Sequence, residues 1–573
     1  MQSLALFLLT LLPTVSTKCF DPSPAFPVPP WQDQSKDHRL TPELSDITSA
    51  LEELACDESY DTSSFSVEIT SQTETLWSHH HTARKHNATR PGATQVDGQS
   101  QYRIASITKT FTTLGILYQH AAGNVSLDDP ISDYIPELTD GEEKSSLPWK
   151  DITLRLLASQ LSGIPREIAQ ADLLNELPDP TAVGLPPASL KGLPDCYEYN
   201  AFRPCNWTHL LPHLKSQQPL FAPGQESTYS NTNFELLGLV LERVSGLSYE
   251  QYMTEAIFEP LGMDSTTLKK PKSDEHAVLP IGQYFWDVDE GVHNPTGGIY
   301  STSSDMSKYL RYILTHYNAL ASGVNWFMPA SWSTGVNSFY GMPWETFRTD
   351  KILKQSNRPV TFVTKSGGVP DYFSRITLMP EYGFGLTIII GGESSLLDKI
   401  QEAVTVPLIR AAEDSIWEDM DAIYTGTYNT PDLHVLNSTL TLAASPSSGL
   451  QLTSFISNGT DVFTTLLAKW AGLINPHSGQ WRVQLVPTLL YKNETAQEGE
   501  IWRLLVVEEW TGKERIWDDF CITDVDPASY AGLPINEVVF WHGERVVELP
   551  AWRVKMKREE EDGERGRLVV QQP

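Results

Sequence analysis

The sequence predicts an α+β domain built on a mainly antiparallel sheet, followed by a β-rich domain that is a barrel or a sandwich. Strand signals near residues 65–77 return at 360–390 with helical periodicities between them, so one sheet must close from distant pieces of chain. Past Trp417 the helical spacing gives way to short alternating runs at turn spacing. At 573 residues the chain also exceeds what one ordinary core can hold.

Residues 1–17 read as a cleavable secretory signal: Leu4 to Leu12 are apolar and too few to span a bilayer, and Pro13 and a small polar run follow. An N-terminal extension, 18–61, holds a Pro-rich lead at 22–30, expected as an extended strap. It also holds a helix carrying Leu44, Ile47, Leu51 and Leu54.

The first domain is expected at 62–412. Phe65, Val67 and Ile69 alternate with polar residues as in a half-buried strand, and a partner near Leu76 and Trp77 completes a hairpin. His79, His80 and His81 follow. Neighbouring rings on a strand face opposite ways, so they are read as a polar loop and not as a metal site. Ile107, Phe111, Leu114 and Leu117 predict a helix opening near Ser106 and stopping at Gly123 and Asn124. Asp151 is expected to cap a helix through Leu157. Residues 170–219 form a long irregular insertion, rich in Pro and Leu, that could wall a cleft.

Phe234 to Val244 predict a helix stopped by Gly246, and Ser248 with Gln251 a capping box for the next. Met306, Leu310 and Ile313 follow the polar start Ser301 to Asp305. Strands are expected at 360–364, 373–378 and 384–390, then a helix at 396–411. The β-rich domain is placed at 418–555, from alternation at Leu440 and Leu442, Leu450 and Leu452, and Trp481, Val483 and Leu485. A charged tail, 556–573, is expected to be solvated, together with Lys555.

Acidic residues outnumber basic ones by 72 to 42, and the net charge of −30 repels phosphate backbones and anionic membrane surfaces, so neither is expected as a partner. Asn-x-Ser/Thr sequons at Asn87, Asn124, Asn206, Asn437, Asn458 and Asn493, together with the signal, predict a secreted glycoprotein. Five cysteines are too few for a disulfide scaffold but suit an oxidising compartment. Cys196 and Cys205 flank a short loop and are the candidate bridge, while Cys19, Cys56 and Cys521 leave one odd thiol.

The chemistry starts at Ser106-Ile-Thr-Lys109. Residues three apart share a helix face, so the Lys109 amine can reach the Ser106 hydroxyl. A serine needs such a base to attack at neutral pH, and unfilled N–H groups at a helix start disfavour an ammonium there. Alone, the motif is more often an N-cap beside a solvent-facing lysine. Two further motifs follow in fixed order, Tyr229-Ser230-Asn231 and Lys365-Ser366-Gly367, each of which alone reads as a helix cap or a strand end. Their order, on a helix start, a loop and a strand end, favours a site.

That ordered set resembles the serine β-lactamase and penicillin-binding protein superfamily, and Tyr229 makes it most similar to the class C β-lactamases and the esterases, D-amino-acid peptidases and acyltransferases of that plan. Leu156 to Pro165, Glu259 to Met263 and Gly297 to Thr302 carry further likeness, and the β-rich part resembles accessory domains found in such proteins. The resemblance implies a β-lactamase/transpeptidase-like domain with no metal and no organic cofactor. Ser106 would attack a carbonyl, and Lys109 and Tyr229 would share the base and acid work. Asn231 would hold Lys109 or a substrate amide, Lys365 a substrate carboxylate or the tuning of the site, and the N–H groups of Ser106 and Gly368 an oxyanion, with Ser366, Gly367 and Gly368 lining the substrate.

Gln160 and Leu161 depart from the pattern, standing where relatives often have His and Thr, a position taken as structural. The expected activity is hydrolysis of an ester or amide in a small molecule or peptide. Acyl transfer in a biosynthetic pathway and a non-catalytic ligand-binding protein are the alternatives.

Overall fold

Strand Ser64–Thr70 shows why an alternating sequence need not mean a half-exposed strand, because every one of its residues is buried. In the computed structural model it lies second in an eight-stranded antiparallel sheet, in the order Thr75–His81, Ser64–Thr70, Phe384–Gly391, Tyr372–Met379, Val360–Val369, Glu345–Thr349, Ser338–Tyr340, Ser331–Trp332. The structure describes residues 26–32, 37–139, 147–167, 173–189, 191, 196, 204–215, 217–282, 285–356, 358–431, 437–474, 481–508 and 528–559. The polar half of the alternation is buried because it is satisfied. Glu68 accepts the hydroxyls of Ser303, Ser304 and Ser307 at 2.7, 3.0 and 2.8 Å, which ties the strand to the first turn of helix Ser303–His316.

The histidine triplet is not a loop. It ends strand Thr75–His81, where Phe65 stacks on His81 at 5.2 Å and Trp77 on His79 at 6.1 Å. Burial lowers the pKa of all three imidazoles.

Two long helices carry the other side of this unit, which comprises residues 30–349 and 360–409. Helix Thr108–Ala121 packs on Thr232–Ser245 and, through Phe111 stacked on Tyr309 at 3.9 Å, on Ser303–His316. Gly115 permits the close approach, since a Cβ there would meet Leu241, Tyr252 and Met253 at 3.0 Å. Gly246, at φ 73°, ends Thr232–Ser245 in the left-handed conformation that glycine adopts without strain. Ser248 accepts from the Gln251 N–H at the next helix.

Thr153, not Asp151, caps the short helix Leu154–Ala158, its hydroxyl accepting from Leu156 N–H at 3.2 Å. Inside the insertion read as irregular, Asn206 caps a helix, Trp207–Leu214, and Cys196 is bonded to Cys205. Much of the remaining insertion lies outside the described residues.

The helix expected to stop at residue 411 runs as Leu396–Tyr424, so the expected boundary at 412–418 falls within it. Polar pairing sustains the extension. Glu413 accepts from Arg358 at 2.6 Å and from the Trp417 indole at 2.9 Å, all within the second unit.

That unit is a closed barrel. Its strands run Thr439–Ser445, Gly426–Asn429, Val554–Arg558, Val546–Leu549, Glu537–Trp541, Glu498–Glu508, Trp481–Asn493, Gly449–Ser457, and the last pairs back with the first. Closure removes open edges, which settles barrel against sandwich. Lys555 to Arg558, expected in the solvated tail, complete a barrel strand. A helical segment, Phe463–Leu467 and Ala468–Ile474, was not foreseen among the strands. The signal, Cys19, Cys521 and residues 560–573 lie outside the described residues, among which no helix is long and apolar enough to cross a membrane.

Candidate active site

Ser106 occupies a 3-10 turn, Ala105–Ile107, that runs into helix Thr108–Ala121. The turn is strained. Ala105 sits at φ 47°, a left-handed conformation that a Cβ disfavours by about 1 kcal/mol. Strand Tyr102–Arg103 anchors its approach by pairing with Tyr300–Ser301, and Arg103 is buried in an ion pair with Glu290. The outcome is a half-buried Ser106 with solvent access on one side.

Lys109, fully buried, donates to Ser106 Oγ at 3.0 Å and to the Thr296 carbonyl at 2.9 Å. Burial lowers its pKa, the neighbouring phenol of Tyr229 opposes that, and the Lys365 ammonium pushes down again, for a net shift downward. Its amine is therefore more readily neutral than an ordinary lysine.

Tyr229 reaches the same place from a loop before helix Thr232–Ser245. Its ring centroid lies 5.1 Å from Lys109 Nζ, 5.2 Å from Lys365 Nζ and 4.7 Å from Arg166 Cζ. Burial raises the phenol pKa, but the ammonium groups of Lys109 and Lys365 outweigh it and the net shift is downward.

Gln160 fixes that loop, which the sequence did not reveal. Its carbonyl accepts from Thr228 N–H at 2.9 Å and its side-chain oxygen from Ser230 N–H at 2.8 Å, bracketing Tyr229. Asn233 Nδ2 donates to the same side-chain oxygen at 3.2 Å. The position read as structural thus holds the loop segment on either side of Tyr229.

Asn231 is present in the cluster but turns its amide to Glu167, whose carboxylate accepts from Nδ2. Lys365 is buried and already paired, its Nζ 2.6 Å from Glu345 Oε1, while Glu345 Oε2 accepts from Ser366 N–H at 3.0 Å. The Ser366 hydroxyl points to the other sheet face, where it accepts from Arg375 Nε at 3.0 Å, so its backbone and not its side chain belongs to the site.

Gly367 is where the strand meets the nucleophile. A Cβ there would lie 2.3 Å from the Ile104 carbonyl oxygen and 3.0 Å from Ser106 N. Alternation along the strand then sends the Gly368 N–H to the same edge as that of Ser366, and Gly368 is exposed.

The structure therefore brings Ser106, Lys109, Tyr229, Asn231 and Lys365 together, and adds Gln160, Arg166, Glu167 and Glu345. The last had no signal, because only the pairing of Glu345–Thr349 with Val360–Val369 brings it to Lys365. The six sequon asparagines lie away from this cluster in sequence; Asn124, Asn206, Asn437, Asn458 and Asn493 are exposed and Asn87 is half-buried. Among the described residues no group of three or more His, Cys, Asp or Glu could hold a metal ion.

An antiparallel sheet backed by helices, with a serine, a buried lysine and a tyrosine at one strand end, defines an α+β domain of the kind shared by the penicillin-recognising proteins. The family model "Beta-lactamase" matches residues 55–406, and "Beta-lactamase-like-like, C-terminal domain" matches 416–560. The chain belongs to the beta-lactamase family. It is 33% identical to "Probable hydrolase M10" of Phoma sp., over 92% of this chain and 88% of that protein, and 34% identical to "Probable hydrolase clz13" of Cochliobolus lunatus, with the same coverage. The crystal structure of a beta-lactamase/D-alanine carboxypeptidase from Yersinia pestis matches with a TM-score of 0.48 and 21% identity, over 64% of this chain and 99% of that one.

Proposed function

We propose that this protein is a secreted serine hydrolase that cleaves an ester or amide bond through an acyl-enzyme on Ser106. The observation that carries the reading is the 3.0 Å hydrogen bond from a fully buried Lys109 amine to Ser106 Oγ, beside a phenol flanked by the side-chain nitrogens of Lys109 and Lys365. Family membership and relatives named as probable hydrolases support it.

In this reading neutral Lys109 takes the Ser106 proton as Oγ bonds to the substrate carbonyl carbon. The oxyanion forms against the N–H groups of Ser106 and Gly368. Tyr229, whose ring centroid lies 5.1 Å from Lys109 Nζ, delivers the proton to the departing alkoxide or amine as the carbonyl re-forms. Water then enters, gives a proton back through the same groups, and releases the acid and free Ser106.

A fluorophosphonate probe followed by intact mass tests the nucleophile. Wild type gains one adduct and Ser106→Ala gains none; an unlabelled wild type contradicts the reading. The exposed sequons and the Cys196–Cys205 bond support secretion. Protein recovered from culture medium should lose mass on treatment with peptide N-glycosidase, and retention of all the protein inside cells, with no such loss, contradicts that part.

A further inference from the structure

Lys365 is the cation that a carboxylate-bearing substrate would seek in this cleft, yet its charge is spent inside the protein. Glu345 Oε1 lies 2.6 Å from its Nζ, and the Ser366 carbonyl accepts a second of its protons at 2.8 Å. The other oxygen of Glu345 takes the Ser366 N–H, the first ladder donor beyond the paired part of the strand. One carboxylate thus occupies both the Lys365 ammonium and the Ser366 N–H, two groups that could otherwise hold an anionic substrate. Glu345 keeps 30% of its side-chain surface in solvent, whereas Lys365 keeps 1%, so an arriving substrate meets the carboxylate before the ammonium.

The wall beside it is apolar. Register pairs Trp332 with Phe339, Phe339 with Thr346 and Thr346 with Val363, and Lys365 lies two residues on from Val363, which places all of them on one sheet face. Trp332 is 76% exposed, its ring lies tilted against Phe339 with the centroids 5.5 Å apart, and its carbonyl accepts from the Ser227 hydroxyl at 2.9 Å, two residues before Tyr229. An exposed indole on that sheet face, on a strand tied through its backbone to the loop that carries Tyr229, favours an apolar substrate group.

We infer that Glu345 is a specificity-determining residue that neutralises Lys365 and occupies the strand edge, so that the site selects uncharged esters with an apolar acyl group over carboxylate-bearing substrates. The inference rests on the acyl-enzyme reading above. It also has a signature in pH. The groups facing the Tyr229 phenol are Lys109, Lys365, Arg166, Glu345 and Tyr340; burial holds the Tyr340 phenol protonated, and Glu345 is the carboxylate that raises the Tyr229 pKa by charge.

The test compares 4-nitrophenyl valerate with mono-4-nitrophenyl succinate, which match in acyl length and differ in charge, on wild type, Glu345→Gln and Glu345→Ala. Wild type should prefer the valerate by about tenfold or more in kcat/KM, and both variants should shift that ratio toward the succinate by about tenfold. In Glu345→Gln the alkaline limb of the kcat/KM profile, set by the protonated Tyr229 that serves as acid, should also move to lower pH, which a purely structural role would not cause. A wild type that prefers the succinate, or variants that label at Ser106 with an unchanged ratio, overturns this inference alone. Absence of wild-type labelling at Ser106 overturns the acyl-enzyme reading and this inference with it.

Discussion

At the scale of single residues, the site is a contest between burial and charge. Burial disfavours an ammonium at Lys109 and a phenolate at Tyr229, while Lys365 pushes both groups toward losing a proton. Both are shifted down, so the deprotonated base is reached at lower pH than free side chains allow. Removing the Lys365 charge must reverse the shift. In Lys365→Met the pKa of Lys109 and of Tyr229 rises, and the acidic limb of kcat/KM should move up by about one pH unit; a limb that stays put or falls would show that neither group titrates there. Gln160 acts differently, through aim and not charge. Gln160→Ala leaves the Ser230 N–H without its acceptor and loosens the loop, so kcat should fall about tenfold or more while active-site titration by the fluorophosphonate still reaches full occupancy. Unchanged kcat with a lowered Tm would reduce Gln160 to a structural part.

At the scale of elements, the decisive contact is between the turn holding Ser106 and strand Val360–Val369. Gly367→Ala forces a methyl to 2.3 Å from the Ile104 carbonyl, a backbone atom, and 2.5 Å from Ser374 Oγ, which is held by its hydrogen bond to that same carbonyl. The strand must move away from Ser106, at about 1–3 kcal/mol in stability, with kcat/KM falling about a hundredfold. Gly368→Ala, whose methyl meets only Phe373 at 3.6 Å, should leave the melting temperature nearly unchanged. Equal effects of the two substitutions would contradict the close approach.

The elements also show what a sequence can and cannot disclose. Helices such as Thr108–Ala121 and Thr232–Ser245 were legible because one apolar stripe and one stop residue define each of them. Strands Ser331–Trp332, Ser338–Tyr340 and Glu345–Thr349 were not, being two, three and five residues long. Short strands carry too few residues for alternation to register. Glu68 misled in another way: its polar alternation suggested an exposed face, but three serine hydroxyls contributed by a distant helix make burial tolerable. The same logic divides the site. Ser106 with Lys109 could be read from spacing along one helix, whereas the Glu345–Lys365 pair exists only once the strands are side by side.

At the scale of the whole molecule, the chain carries two units with separate logics. The first assembles its sheet from both ends of a long stretch, which is why strand Ser64–Thr70 pairs with Phe384–Gly391 and why three distant motifs meet in one site. The second closes on itself as a barrel, with Thr439–Ser445 pairing on both sides, a closure that short alternating runs announce but do not specify. The central claim is that Ser106 carries the acyl group, and the most direct measurement is rapid acid quench during turnover of 4-nitrophenyl valerate, followed by peptide mapping. The account predicts a pre-steady-state burst of nitrophenolate with the valeryl mass on the Ser106 peptide, absent in Ser106→Ala. A valeryl group on any other residue, or turnover undiminished in Ser106→Ala, would contradict it.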